Sequence, residues 1–183
     1  MSKRLILSLL IVSLIAMCFC DKCDSLVANG NCDFYTECLE EKYHCGVTGY
    51  PVGYGHRYCN KFLKYFYDFP PLGQLWVQNT LVCLKTALQP LFHETSDCAT
   101  IYSVAFASHP RCYFESGFCE LFKDRKNIIK TLKALLEVYE IKDFMSATTM
   151  KQVFETAKMC GSEYVAEIKQ AMKDIFSNGR FLE

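Results

Sequence analysis

Beyond its first twenty residues the chain has no long hydrophobic run, no excess of charge of either sign, no internal repeat and no low-complexity linker. Each absence removes a class of protein. A membrane-spanning helix needs about 20 consecutive apolar residues, so no later segment is expected to cross or anchor in a bilayer. Lys and Arg number 20 and balance 20 Asp and Glu. No net field therefore draws the chain to nucleic acid or to an anionic membrane surface. The sequon Asn-x-Ser/Thr is missing: Asn79 is followed by Thr80 and Leu81. No N-glycan is expected.

The constellations that carry catalysis are missing too. No His-Glu-x-x-His occurs, and no two of His44, His56, His93 and His109 have the i, i+4 spacing of a helical metal site. Three of these histidines fall in predicted loops and one precedes a proline, so all four are read as surface residues. Glu115-Ser116-Gly117 is not the Gly-x-Ser-x-Gly elbow of a serine hydrolase. No acidic loop has EF-hand spacing. Only Cys20-Asp21-Lys22-Cys23 has the close spacing of a zinc-binding cysteine pair. The expectation is a non-enzyme with no metal and no cofactor.

What the chain does have is an export signal and cysteine. Lys3 and Arg4 precede an apolar run from Leu5 to Met17, too short to span a membrane and typical of a secretory signal core. Two cleavage points fit the small residues there. A cut after Cys20 leaves residues 21–183 as a single secreted domain with ten cysteines, and a cut after Cys18 leaves eleven. The even count favours the first. The ten are Cys23, Cys32, Cys38, Cys45, Cys59, Cys83, Cys98, Cys112, Cys119 and Cys160. In an oxidising, extracellular setting such a set pairs internally as structural crosslinks.

Between the cysteines the pattern is helical. Asp33 is placed to cap a helix through Glu41. The glycine-rich stretch 46–55 reads as a loop. A helix over about 57–68 stops before Pro70-Pro71. The next covers 72–88 before Pro90, with Leu72, Leu75, Trp76, Cys83 and Ala87 near one face. Ser96 is the expected cap of a fourth helix, with Cys98, Ile101, Tyr102 and Ala105 inward and His109-Pro110 as its end. A shorter one spans 112–122. A sixth starts at Asp124, with Ile128, Leu132, Leu135, Leu136 and Tyr139 in register. Two more lie near 148–159 and 163–177. Ser162 is the expected cap of the last, and Asn178-Gly179 its close. The expected fold class is all-α, a disulfide-crosslinked helical bundle.

The order and spacing of the cysteines resemble those of the stanniocalcin family of secreted helical hormones. The resemblance runs from about Cys23 to Cys160. It is carried by Cys38-Leu39-Glu40, Tyr58-Cys59-Asn60-Lys61-Phe62-Leu63, Val82-Cys83-Leu84 and the segment Cys112-Tyr113 through Cys119. The resemblance implies bridges Cys23–Cys38, Cys32–Cys59, Cys45–Cys98, Cys83–Cys112 and Cys119–Cys160. It also implies an extracellular receptor or protease as partner, with roles in calcium and phosphate balance or in inhibiting pappalysin-type metalloproteases. Two features depart from the family pattern. No cysteine follows Cys160 to join two subunits, which puts a disulfide-linked dimer in doubt unless Cys20 survives processing, and leaves a noncovalent homodimer open. Glu41-Lys42-Tyr43-His44-Cys45 also stands where the family carries a sequon.

Two surface features accompany this reading. Lys123, Lys126, Lys130 and Lys133 recur along the sixth predicted helix, opposite its apolar positions. They form a candidate site for heparan sulfate or another anionic partner, or else a solvated face. Tyr43, Tyr50, Tyr54 and Tyr58 crowd the glycine-rich stretch, either as a contact surface or as packing over it. The functional expectation is a secreted, stanniocalcin-like hormone or signalling factor that binds protein noncovalently. The alternative is a saposin-like or toxin-like helical module that binds lipid or a channel.

Overall fold

The computed structural model describes residues 22–93, 96–122, 125–139 and 147–177, and among these every regular element is a helix. The expected signal segment, the Asp124 cap and the Asn178-Gly179 close lie outside the described residues. Helix α1 covers 22–28 and buries Cys23, Leu26 and Val27. A tight turn built on asparagine side chains follows, with the Asn31 amide donating to Asn29 Oδ1 and the Asp33 amide to Asn31 Oδ1. Helix α2 is π-wound over Tyr35–Glu40 and runs on through Glu41–Tyr43. It ends at His44, whose left-handed φ of 50° stops the helix.

The stretch expected to be a loop is helical in its second half. Tyr50–His56 winds as a π-helix straight into α3, Arg57–Lys64. Gly49 and Gly55 in this stretch serve close approach. A Cβ on Gly55 would stand 2.5 Å from the Tyr35 ring, and one on Gly49 would stand 2.4 Å from Cys45 Cβ. A short 3₁₀ turn, Phe66–Asp68, leads into α4, Pro71–His93. Pro71 suits a first helical position because its missing N–H has no intrahelical partner there in any case.

Both long central helices run through prolines expected to end them. Helix α4 continues past Pro90, and Lys42 Nζ and Tyr43 Oη donate to the carbonyls of Phe92 and Leu91 in its last turn. Helix α5, Cys98–Glu115, contains Pro110. Proline removes the N–H that would bond the carbonyl four residues back. That carbonyl, on Phe106, accepts instead from Gln152 Nε2 at 3.2 Å. The cap of α5 is Asp97, not Ser96: Asp97 Oδ1 accepts from the Thr100 amide at 2.7 Å.

Cys112 therefore belongs to α5, and the expected fifth helix reduces to a 3₁₀ turn, Phe118–Phe122, entered at Gly117 with φ 100°. Helices α6 (Arg125–Val138), α7 (Ala147–Cys160) and α8 (Ser162–Ser177) complete the described chain. Gly161, with φ 134°, breaks α7 from α8.

Helices α4 and α5 form an antiparallel pair. Cys83 is bridged to Cys112, and Trp76 Nε1 donates to the Tyr113 carbonyl. The inward face of α4 is Trp76, Val77, Thr80, Leu81, Leu84, Lys85 and Leu88. Leu72 and Leu75, expected inside, are exposed, as is Tyr102 on α5. The reason is that apolar residues stand on more than one face of α4, so periodicity alone does not select the buried stripe.

Candidate functional site

Five disulfides frame the described helices. Cys23 is bridged to Cys38, Cys32 to Cys59, Cys45 to Cys98, Cys83 to Cys112 and Cys119 to Cys160. The Cα–Cα separations, 5.5–5.8 Å, are those of ordinary disulfides. The first two tie α1 and its turn to α2 and α3. The third fixes the start of α5 to the segment after α2. The fourth staples α4 to α5, and the fifth joins the 3₁₀ turn to the end of α7. The closed loops separate residues by 15 to 53 positions. On a chain-entropy account, loops of that size are each worth about 3–4 kcal/mol.

Inside this frame lies an aromatic cluster. Tyr50 stacks on Tyr54 with ring centroids 5.6 Å apart, Tyr54 meets Tyr58 at 4.5 Å, and Tyr58 stacks on Tyr139 of α6 at 4.7 Å. The tyrosines of the glycine-rich stretch thus pack inward. Tyr50 and Tyr58 are buried, and Tyr43 and Tyr54 are partly so. Burial raises the hydroxyl pKa of Tyr35, Tyr50 and Tyr139 well above the usual range and pushes that of Tyr113 up to about 12.

His109 sits in the same cluster and corrects the surface reading given to all four histidines. It is only 2% exposed. Its Nδ1 lies 3.2 Å from Gln152 Oε1, and its Nε2 lies 3.3 Å from Tyr50 Oη. Gln152 uses its amide nitrogen on the Phe106 carbonyl, so its oxygen is the atom left to accept from His109. The ring therefore carries its proton on Nδ1 and accepts from Tyr50 at Nε2. Burial pushes His109 down to about 4, against a smaller upward pull from Gln152. It is neutral at physiological pH. His93, by contrast, is exposed at the end of α4 and 3.1 Å from Asp24 Oδ1.

Lys85 is a second buried polar group that periodicity missed. It is fully buried, and its Nζ donates to the carbonyls of Leu26, Asn29 and Asn31 at 3.1, 2.5 and 2.9 Å. Those carbonyls converge because the asparagine turn after α1 points them inward. Desolvation lowers Lys85 to about 8, against a smaller upward pull from Asp33. Nothing in the local sequence marks this lysine, because its partners are backbone atoms more than fifty residues earlier.

Two lysines of the expected stripe have described side chains. Lys130 and Lys133 are exposed on α6, opposite the buried Ile128, Leu132 and Leu135. Lys126 falls in α6 without a described side chain, and Lys123 lies outside the described residues. A cleft of about 340 Å³ between α6 and α8 is floored by Phe122, Ile128, Ile129 and Ala171 and rimmed by Glu167, Gln170 and Asp174. Among the described residues no three His, Cys, Asp or Glu side chains approach closely enough to hold a metal ion. Among the same residues no helix is long and apolar enough to cross a membrane.

Helices laced by five bridges around an aromatic interior define a disulfide-framed helical protein of the extracellular type. A protein-family model described as the stanniocalcin family matches residues 11–178. The chain belongs to the stanniocalcin family, whose members are secreted, hormone-like and non-enzymatic. No curated protein and no solved structure matches it.

Proposed function

We propose that this chain is a secreted signalling factor that acts by noncovalent binding to an extracellular protein, either a receptor in mineral balance or a protease of the pappalysin type. The observation that carries the reading is the family match across nearly the whole chain. It is supported by the chemistry of the cysteines. All ten within the described residues are bridged, so none of them offers a thiol for a covalent link to a target. In this reading residues 1–20 are the signal peptide and 21–183 the single functional domain. The basic face of α6 is the proposed contact for an anionic partner such as heparan sulfate. Exposed Lys130 and Lys133 support it.

Inhibition of a pappalysin-type metalloprotease by the purified secreted protein tests the protease reading. Inhibition that is relieved on dilution is the expected result. Inhibition that survives denaturing, non-reducing electrophoresis as a covalent adduct would contradict noncovalent action. Tight, salt-resistant flotation with neutral lipid vesicles, and no protein target, would contradict the signalling reading altogether.

A further inference from the structure

We propose that the cleft between α6 and α8 binds a small organic ammonium ion, a protonated amine carried on a compact apolar body. The cleft holds about 340 Å³, at the small end of the range for ligand sites, about 300–1,000 Å³. Its floor is apolar. Phe122 and Ile128 are buried there, Ile129 is partly so, and Ala171 has no side chain beyond Cβ to fill the space. The polar lining comes from α8 alone, as Glu167, Gln170 and Asp174. With Ala171 they stand at i, i+3, i+4 and i+7, which is one stripe of a helix. The stripe is two turns long, about 10 Å.

The hydrogen-bonding character of this rim selects the ligand. Gln170 Nε2 donates to Asp174 Oδ1 at 2.7 Å. That bond spends an amide donor on the rim itself and leaves Gln170 Oε1 as an acceptor. The polar lining is therefore two carboxylates and an amide oxygen. An ammonium group is the complement of such a set, because it has three donors and no acceptor. Bonds from a charged donor to a carboxylate are also the strong ones. An anion would set lone pairs against lone pairs. The neighbouring lysines do not reverse this choice. Lys169 lies over the Phe154 ring of α7, 5.6 Å from its centroid. Lys173 of α8 and Lys130 and Lys133 of α6 do not line the cleft. Neither α6 nor α8 contains a cysteine. A ligand seated on both helices thus ties together two walls that no disulfide joins.

Calorimetric titration of the secreted protein with tryptamine, a primary amine on an indole ring, tests the proposal. A ligand of that size should bind with a dissociation constant of about 0.01–1 mM. The methyl resonances of Ile128, Ile129 and Ala171 should shift on binding. N-acetyltryptamine keeps the ring and loses the ammonium, and should bind about tenfold more weakly. Indole-3-propionate, which carries a carboxylate instead, should be weaker still. Glu167→Gln combined with Asp174→Asn keeps the shape of the rim and removes its charge, and should weaken tryptamine about five- to tenfold. Ala171→Met should weaken tryptamine and N-acetyltryptamine alike by filling the floor. If that larger side chain disturbs the fold, the Glu167→Gln, Asp174→Asn variant and the three-ligand comparison decide. Absence of binding up to about 10 mM tryptamine overturns the proposal. So does binding that the double variant leaves intact, a preference for indole-3-propionate, or methyl shifts that spare the cleft.

Discussion

Residues 22–122 and the helices α6–α8 pack against one another but are secured differently. Four of the five bridges close entirely within the first region, and Cys119–Cys160 is the bridge that reaches into the second. The first region is filled with aromatic rings and contains the two π-wound segments, Tyr35–Glu40 and Tyr50–His56. The second is an amphipathic set in which Ile128, Leu132, Leu135, Val138, Ile168 and Ala171 face inward and lysines face out. The contrast separates two sources of stability. One limits the freedom of the unfolded chain, and the other removes apolar surface from water. The two regions meet at Gln152, which bonds both His109 and the Phe106 carbonyl of α5.

The sharpest way to break the contrast is to cut the lone tether. Cys119→Ser with Cys160→Ser opens a loop of 41 residues, worth about 4 kcal/mol on the chain-entropy account. Amide exchange should accelerate in α7 and α8 while α4 and α5 keep their protection. Uniform acceleration across all helices would show that the regions are not distinct.

Acid should act next, at the junction. His109 has an ordinary value of 6.5 and is held down to about 4 in the fold. A depressed value means that the unfolded chain binds the proton more readily. The associated stability is complete above pH 6.5 and is lost as pH falls toward 4. The loss amounts to about 3 kcal/mol at 1.36 kcal/mol per unit. Urea unfolding at pH 7 and pH 5 should show the decline, and His109→Phe should flatten it. An equal decline in that variant would place the acid sensitivity elsewhere.

Smaller again is Gln152→Leu, which leaves the Phe106 carbonyl unpaired beside Pro110 at about 1–3 kcal/mol. Its effect should show as a lowered denaturation midpoint with an unchanged slope. Smallest is Lys130→Glu with Lys133→Glu. Exposed substitutions of this kind shift stability by less than about 0.5 kcal/mol, but this pair should reduce the salt needed to elute the protein from heparin. Unchanged elution would remove the anionic-partner reading of α6.

Much of this contrast was legible in the chain. The helices of the C-terminal part followed from Ile128, Leu132 and Leu135 at helical spacing, because an amphipathic helix writes its buried face in sequence. In the first region the same reading faltered. Periodicity put Leu72 and Leu75 inside, since α4 carries apolar residues on more than one face. Pro90 and Pro110 read as stops, yet contacts distant in sequence supply what each helix end or gap lacks: Lys42 and Tyr43 at the end of α4, and Gln152 at the Phe106 carbonyl. Gly49 and Gly55 read as loop, whereas what they record is the nearness of Cys45 and Tyr35. His109 and Lys85 were invisible as buried groups, because their partners lie 43 to 59 residues away. Spacing alone did not choose among the cysteine pairings. The family resemblance did, which is information about ancestry and not about local physics.

The account rests on which sulfur is joined to which. Proteolytic mapping of the secreted protein without reduction tests this most directly. It should yield five linked peptide pairs, joining Cys23 to Cys38, Cys32 to Cys59, Cys45 to Cys98, Cys83 to Cys112 and Cys119 to Cys160, with none of the ten alkylated as a free thiol. A free thiol at Cys45 or Cys98, or a peptide joining Cys160 to any cysteine other than Cys119, would contradict it.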